Sequence, residues 1–287
     1  MGYRIKNGET LQTALQRISL ELVETSLGLL NDPTANRDVA IHEVRKGCKK
    51  VRAVLWLIRD EIDSKTYRSD ALHFRNLSAL VAPARDSYLT VLAVQNMELP
   101  AEVKATLLTD LKATYQQAIA DAPLESVVAQ LQEGIQRVES WSFKKQGFGM
   151  ISPTLKRMYK RGKARMKFAY RNATPENFHE WRKHVKYLRY HLQILQPTAD
   201  ALLGGTIQQL DELGDVLGRA NDLYELKHNL FAHPQAVALE EVLNKLESEQ
   251  LKLYRQAWAM GQRAYAEGNQ AFVERMREYW NVWVSAS

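Results

Sequence analysis

The sequence predicts an all-α protein built from two copies of one helical unit, and three observations carry this reading. Gly and Pro are sparse, 14 and 8 in 287 residues, so long stretches run without a breaker. Apolar residues recur at spacings of three and four, the mark of helices with one buried face, and no stretch alternates as a strand would. The string HEVRKGCKKVR at 42–52 returns as HEWRKHVKYLR at 179–189.

Taken in order, the first helix is expected at 9–30, where TLQTALQRISLELVETSLGLL spaces its leucines at helical intervals. NDPTANRD breaks the pattern and leads into a helix at 38–60, with Asp38 as its candidate cap. Further helices follow at 70–97, 101–120 and 124–140. WSFKKQGFGMISP, residues 141–153, interrupts the periodicity with Gly147, Gly149 and Pro153 and is the expected joint. Beyond it come helices at 151–172 and 175–196. TPEN opens the latter: Thr174 caps, Pro175 suits the first turn and Glu176 meets the positive helix end. The remaining pattern gives 199–218, 220–231, 235–266 and 269–283. The chain therefore reads as one domain over 1–287, with a first repeat at 1–140, a joint at 141–153 and a second repeat at 154–287 in a pseudo-two-fold relation.

With 45% hydrophobic and 25% charged residues the chain has enough apolar material for a core. No apolar run approaches the roughly 18 residues of a membrane span. The N-terminal MGYRIKNGETLQ lacks the apolar segment of a signal peptide, and Lys6 departs from a myristoylation pattern, so a cytoplasmic protein with no membrane partner is expected. Cys48 is the only cysteine, which excludes an internal disulfide and a cysteine zinc cage. The net charge of +6 is unevenly spread: residues 42–59 hold six Lys/Arg against one acid, residues 156–191 hold twelve against two, and the remainder is net acidic. A basic locus on an acidic chain suits a polyanion held at one place.

The two strings share the spacing H-E-x-R-K-x-x-K-x-x-R. His42, Arg45, Lys46, Lys49 and Arg52 fall on His179, Arg182, Lys183, Lys186 and Arg189. At about 100° per residue these positions occupy an arc of roughly 120°. On the opposite side Val44, Cys48, Val51, Leu55 and Ile58 fall on Trp181, Val185, Leu188, Leu192 and Leu195, so one face enters a core and the other presents cations. A third stripe, Lys156, Tyr159, Lys160, Lys163, Lys167 and Arg171, precedes the second motif, and the short RNATP turn lays it antiparallel beside that helix. The corresponding first-half helix mixes Arg17 with Glu21 and Glu24, so the stronger positive field is expected from the second half. Asp86 in PARDSYL and Asp222 in RANDLYEL stand 44 and 43 residues after their histidines, a second marker of the repeat. Gly47, whose copy is His184, has no reason evident in the sequence. Like charges this close repel, and a polyanion lying across them offsets the repulsion: Arg supplies a planar fork for phosphate oxygens, Lys a point charge and His a donor.

At these residues the chain resembles the CHAD family, the conserved histidine α-helical domain. The resemblance rests on the paired motifs at His42 and His179, on RKHVKYLRY ending in Tyr190, on Arg85-Asp86 and Asn221-Asp222, and on the basic helix before the second motif. It covers nearly the whole chain. It implies two tandem four-helix bundles related by a pseudo-two-fold axis, the histidine helices lining a basic central groove or pore. It also implies binding of inorganic polyphosphate and association with polyphosphate granules. Many bacterial relatives carry a CYTH triphosphate-tunnel domain ahead of this region; this chain, with no N-terminal E-x-E-x-K, resembles a stand-alone member. Lys49-Lys50 and Trp56 stand where arginine-rich variants are common in the family, which keeps the charge and alters donor geometry.

On this reading Arg45, Lys46, Lys49, Arg52, Arg182, Lys183, Lys186, Arg189 and Tyr190 contact phosphate, and His42 and His179 donate from their helix starts. Lys156, Lys160, Lys163 and Lys167 widen the track, and Asp86 and Asp222 orient basic side chains. A non-enzymatic role without cofactor or metal is expected, with enzymes of polyphosphate metabolism as candidate partners. His179 and His184 lie five apart, not the four that bring two ligands to one face, and the cations around them repel a metal. A phosphate-transferring or polyphosphate-hydrolysing enzyme would need carboxylates holding magnesium, for which Asp86 and Asp222 are the candidates, but no Gly-rich phosphate loop accompanies them. Binding to the backbone of RNA or DNA is the alternative, with Tyr159, Tyr187 and Tyr190 placed to stack bases and no base-reading motif in the chain. Cys48 and the six tryptophans, Trp56, Trp141, Trp181, Trp258, Trp280 and Trp283, are assigned to core or joint.

Overall fold

The structure, a computed structural model, describes residues 2–97, 99, 101–231 and 240–286. Among these every regular element is helical. In chain order they are α1 (Leu11–Asn31), α2 (Arg37–Leu57), α3 (Ser64–Leu80), α4 (Ala82–Gln95), α5 (Ala101–Ala120), α6 (Leu124–Glu139), α7 (Ser152–Arg171), α8 (Pro175–Leu195), α9 (Asp200–Phe231), α10 (Glu240–Ala264) and α11 (Asn269–Ser285). Among the described residues no single helix is long and apolar enough to cross a membrane.

Three boundaries differ from the periodicity, each for a local reason. Asn36, not Asp38, caps α2, its side chain accepting from the backbone of Asp38 (2.9 Å) and Val39 (3.2 Å). Asp38 instead accepts from the Tyr115 hydroxyl of α5 at 2.7 Å. The helix expected at 70–97 begins at Ser64, behind an Asp63 cap, and is two helices bent by 49°. Pro83 has no N–H to return to the carbonyl of Ala79, and the Val81 N–H takes that carbonyl, so the turn closes and a new helix starts. The helices expected at 199–218 and 220–231 are one, α9, which runs through Gly214 and Gly218 without a break. For the helix expected at 235–266, residues 235–239 lie outside the described residues and α10 is described from Glu240. TPEN behaves as expected: the Thr174 hydroxyl accepts from Asn177 N at 3.3 Å, with Pro175 in the first turn of α8.

The chain divides into two compact units, residues 15–144, and residues 2–14 with 145 onward. In the first unit α2 packs on α3 and α4, α4 on α5, and α3 on α6. Val44, Cys48, Val51, Leu55 and Ile58 are at most 3% exposed, as the apolar side of the motif requires. Asp70, 2% exposed, ties α3 to α6, accepting from Arg137 Nη1 and from Trp141 Nε1, each at 2.8 Å. Gly47 gains its reason here: a Cβ on it would lie 2.9 Å from Ser26 Oγ and 3.3 Å from the Leu22 carbonyl, so only glycine lets α1 come this close to α2.

In the second unit α8 lies between α7 and α9, and α10 and α11 close the bundle against α9 and α7. Trp181, Val185, Leu188, Leu192 and Leu195 are at most 1% exposed. Chain reversal before α7 uses Gly147, whose φ of +65° is in a region that other residues rarely enter.

Candidate polyanion-binding faces

The apolar side of each motif helix fixes which way its cations point. In the first unit Arg45 reaches α4, its Nη2 3.1 Å from Asp86 Oδ1, while its Nη1 is enclosed without a partner among the described residues. His42 is exposed at the same helix start; partial burial and the neighbouring Arg85 guanidinium hold its ring below the ordinary imidazole value. Lys46 folds back along its own helix onto Glu43, at 2.9 and 3.1 Å. Lys49 is exposed and Arg52 half-buried on the same face.

The second unit repeats this layout with α9 in the place of α4. His179 Nδ1 donates to Asn221 Oδ1 at 2.7 Å, which turns Nε2 outward; burial first, and then Lys183 and Arg182, keep the ring below its ordinary value. Arg182 lies along α9, donating from Nε to the Gly214 carbonyl at 3.3 Å. Its guanidinium fills the notch left by Gly218, where a Cβ would come within 2.9 Å of Nη2. Lys183 pairs with Glu180 at i+3, as Lys46 does with Glu43. Arg189 Nη2 is 2.9 Å from Asp211 Oδ2, and its Nε is buried without a partner among the described residues. Lys186 is held below the usual lysine value by burial, then by Arg182 and Arg189, against which Asp215 and Asp211 act. The Asp222 carboxyl is raised by desolvation, which outweighs Arg182 and Lys186.

Both histidine–arginine pairs are thus met by the two-residue markers, Arg85-Asp86 on α4 and Asn221-Asp222 on α9. Asp211, Asp215, Gly214 and Gly218 did not stand out in the sequence. Their signal was there: Asp211, Gly214, Asp215, Gly218 and Asp222 repeat at three or four residues along α9, a stripe of acids and small residues complementary to the motif.

Other expected site residues are placed differently. Tyr190 lies beneath the face, 6% exposed, its ring edge-on to Tyr3 at 6.0 Å and carrying the Arg189 guanidinium at 5.7 Å. Tyr159 belongs to the core and not to the basic stripe of α7, being 2% exposed and stacked on Phe272 at 4.1 Å. Neither ring is presented for stacking on a base. The α7 lysines do not converge on the α8 motif as a group: Lys156 bonds Gln270 of α11, and Lys163 bonds the Glu267 carbonyl at 2.9 Å, whereas Lys160 and Lys167 are exposed. The α7 cations that act on α8 are Arg165 and Arg161, which help to hold His184 below its ordinary value after burial itself. His184 bonds the Glu180 carbonyl of its own helix at 3.0 Å, so His179 and His184 are engaged in different directions. Among the described residues no group of three or more His, Cys, Asp or Glu could hold a metal ion.

Comparison with known proteins fits this geometry. A family model described as CHAD domain matches residues 27–230. The solved structure of PptA from Streptomyces chartreusis superposes with a TM-score of 0.65 at 14% identity, covering 90% of this chain and 100% of that chain. No curated protein matches the sequence.

Proposed function

This chain belongs to the CHAD domain family, and we propose that it binds inorganic polyphosphate through the cationic faces of α2 and α8 without chemically altering it. Membership of a family known in polyphosphate-associated proteins supports a polyphosphate-related role. The observation that carries the finer reading is that both units set the aligned motif cations on one helix face beside a neighbouring helix that carries the marker residues. In each, a histidine at the helix start and an arginine one turn on are met by a two-residue marker on a neighbouring helix, with Arg45 on Asp86 and His179 on Asn221. Cations held in place before a ligand arrives lose less side-chain freedom on binding. Arg45 Nη1 and Arg189 Nε have no partner among the described residues and are enclosed, so each has a donor that a phosphate oxygen can take once the side chain turns outward. The chemistry of the site is that of Arg, Lys and His toward a chain of phosphates, summed over many contacts and weakened by salt.

On this proposal the protein is a cytoplasmic binding module that targets or scaffolds at polyphosphate granules and works beside enzymes of polyphosphate metabolism. The test is a titration with polyphosphates of defined length against RNA, heparin and ATP, with released phosphate followed in parallel. Affinity should grow with chain length, fall steeply with salt, and leave the phosphate chain intact. Displacement of polyphosphate by short RNA at physiological salt, with ATP ineffective, would transfer the proposal to nucleic-acid backbones. Steady release of phosphate would make the protein an enzyme.

A further inference from the structure

The cationic face of α8 is already occupied by this chain's own carboxylates. Arg189 holds Asp211 at 2.9 Å. Lys186 lies against α9, its Cγ and Cε each 3.9 Å from where a Gly214 Cβ would sit, within the fields of Asp211 and Asp215. Arg182 is laid flat on α9 at Gly214 and Gly218, within the field of Asp222, and Lys183 is paired with Glu180. Two cations of the motif are therefore ion-paired, Arg189 with Asp211 and Lys183 with Glu180, while Asp215 and Asp222, on the same helix α9 as Asp211, act on Lys186 and Arg182 through their charge.

We infer that Asp211, Asp215 and Asp222 are tethered competitors of the phosphate chain, occupying the α8 cations at rest and giving them up when polyphosphate binds. This rests on the proposed polyphosphate reading and adds to it a set of residues that limits affinity. The acids cannot leave the site, so a ligand displaces them only by offering more charge at the same cations. The Asp211 and Arg189 side chains are 42% and 19% exposed, so the pair stands in reach of solvent and the exchange needs no opening of the core. A carboxylate that serves only to aim an arginine would behave in the opposite way, because its removal would let the arginine wander and binding would weaken.

The experiment compares the full chain with D211N/D215N/D222N and with a control, E240Q/E241Q/E278Q, which removes the same net charge from exposed positions on α10 and α11. Binding of a defined-length polyphosphate is measured at one salt concentration, with helicity and melting followed for each variant and D215N alone as the mildest substitution. The α9 triple variant should bind about tenfold more tightly, from one exposed pair and two nearby charges of ordinary strength, D215N should shift in the same direction, and the control should change little. Weaker binding by the folded α9 variants, or equal gains in the control, would overturn the inference. No binding by the unchanged chain at any phosphate length would overturn the proposed function, and this inference with it.

Discussion

Arg45 Nη2 lies 3.1 Å from Asp86 Oδ1, whereas the aligned Arg182 donates from Nε to the Gly214 carbonyl at 3.3 Å and reaches Asp222 through its charge alone. The same two residue types thus face each other on α2 and α4 as an ion pair, and on α8 and α9 without one. The histidines that precede these arginines are not in identical surroundings. His179 bonds a neutral amide, Asn221, whereas His42 has the Arg85 guanidinium beside it. Phosphate at the first face would meet one more fixed cation at the helix start.

Two ion pairs should differ sharply in what they contribute to stability. Asp86 has a side chain 62% exposed, so Asp86→Asn should move the unfolding free energy by no more than about 1 kcal/mol. Asp70 is buried and serves both Arg137 and Trp141, so Asp70→Ala leaves the buried Trp141 Nε1 unmet, strips Arg137 of one partner while Ser69 and Glu133 remain, and should cost about 3 kcal/mol. Urea melts of the two variants decide it; equal losses would mean the buried pair is no more than a surface contact.

Two glycines should respond in opposite directions to the same substitution. Gly47→Ala drives a methyl into the Leu22 carbonyl and Ser26, with a cost of about 1–3 kcal/mol. Gly205, inside α9 with nothing within 4 Å of its would-be Cβ, should gain up to about 1 kcal/mol on change to Ala. Thermal denaturation of the pair checks both signs at once.

Acidification should weaken the ligand-free fold and strengthen the complex. His42, His73, His179 and His184 all titrate below the ordinary imidazole value, chiefly through burial. Unfolded, they return to about 6.5, so the unfolded chain takes up more protons as pH falls below about 7, and melting temperature should drop. An anion beside Nε2 of His179 raises its proton affinity from its lowered ligand-free value, so polyphosphate should bind more tightly as pH falls toward and below about 6.5. Melting and titration series run on the same samples would show the two trends diverge; affinity flat across that range would remove the histidines from the contacts.

Cys48 offers a reporter that touches neither face. Burial pushes its thiol up to about 12, and it is 3% exposed. At about pH 8 a thiol reagent should be slow on the native chain and fast in denaturant, with a rate that follows global unfolding. Rapid labelling under native conditions would show that α2 opens locally.

The helices and the two-sided motif were legible because both depend on spacing within one element. Val44 and Trp181 are buried, and Lys49 and Lys183 exposed, as a helical wheel requires. Spacing does not say which neighbour a face meets. Lys156 and Lys163 share a stripe with Lys160, yet their partners lie in Gln270 and the Glu267 carbonyl, more than a hundred residues on. Tyr159 sits at the margin of that stripe, and Phe272 and Tyr265 decide that it is core. Likewise the repeat marks Asp222 but not Asp211 or Asp215, whose place beside the α8 cations depends on how α8 and α9 pack. Pro83 was a local signal that the apolar pattern of 70–97 masked.

The unbroken course of α9 has a mechanical consequence. From Asp211 to Asp222 it is one rod, about 16 Å of helix at 1.5 Å per residue, pinned by buried Leu210, Leu213 and Leu217, so its acids keep a fixed spacing and each yields to a ligand by turning its own side chain. In the first unit the strut is cut at Val81, with Asp86 on α4 and the Asp70 anchor on α3. Load on Asp86 is taken up at that elbow and need not reach the anchor. One face carries its acids on a fixed ruler, and the other beside a joint.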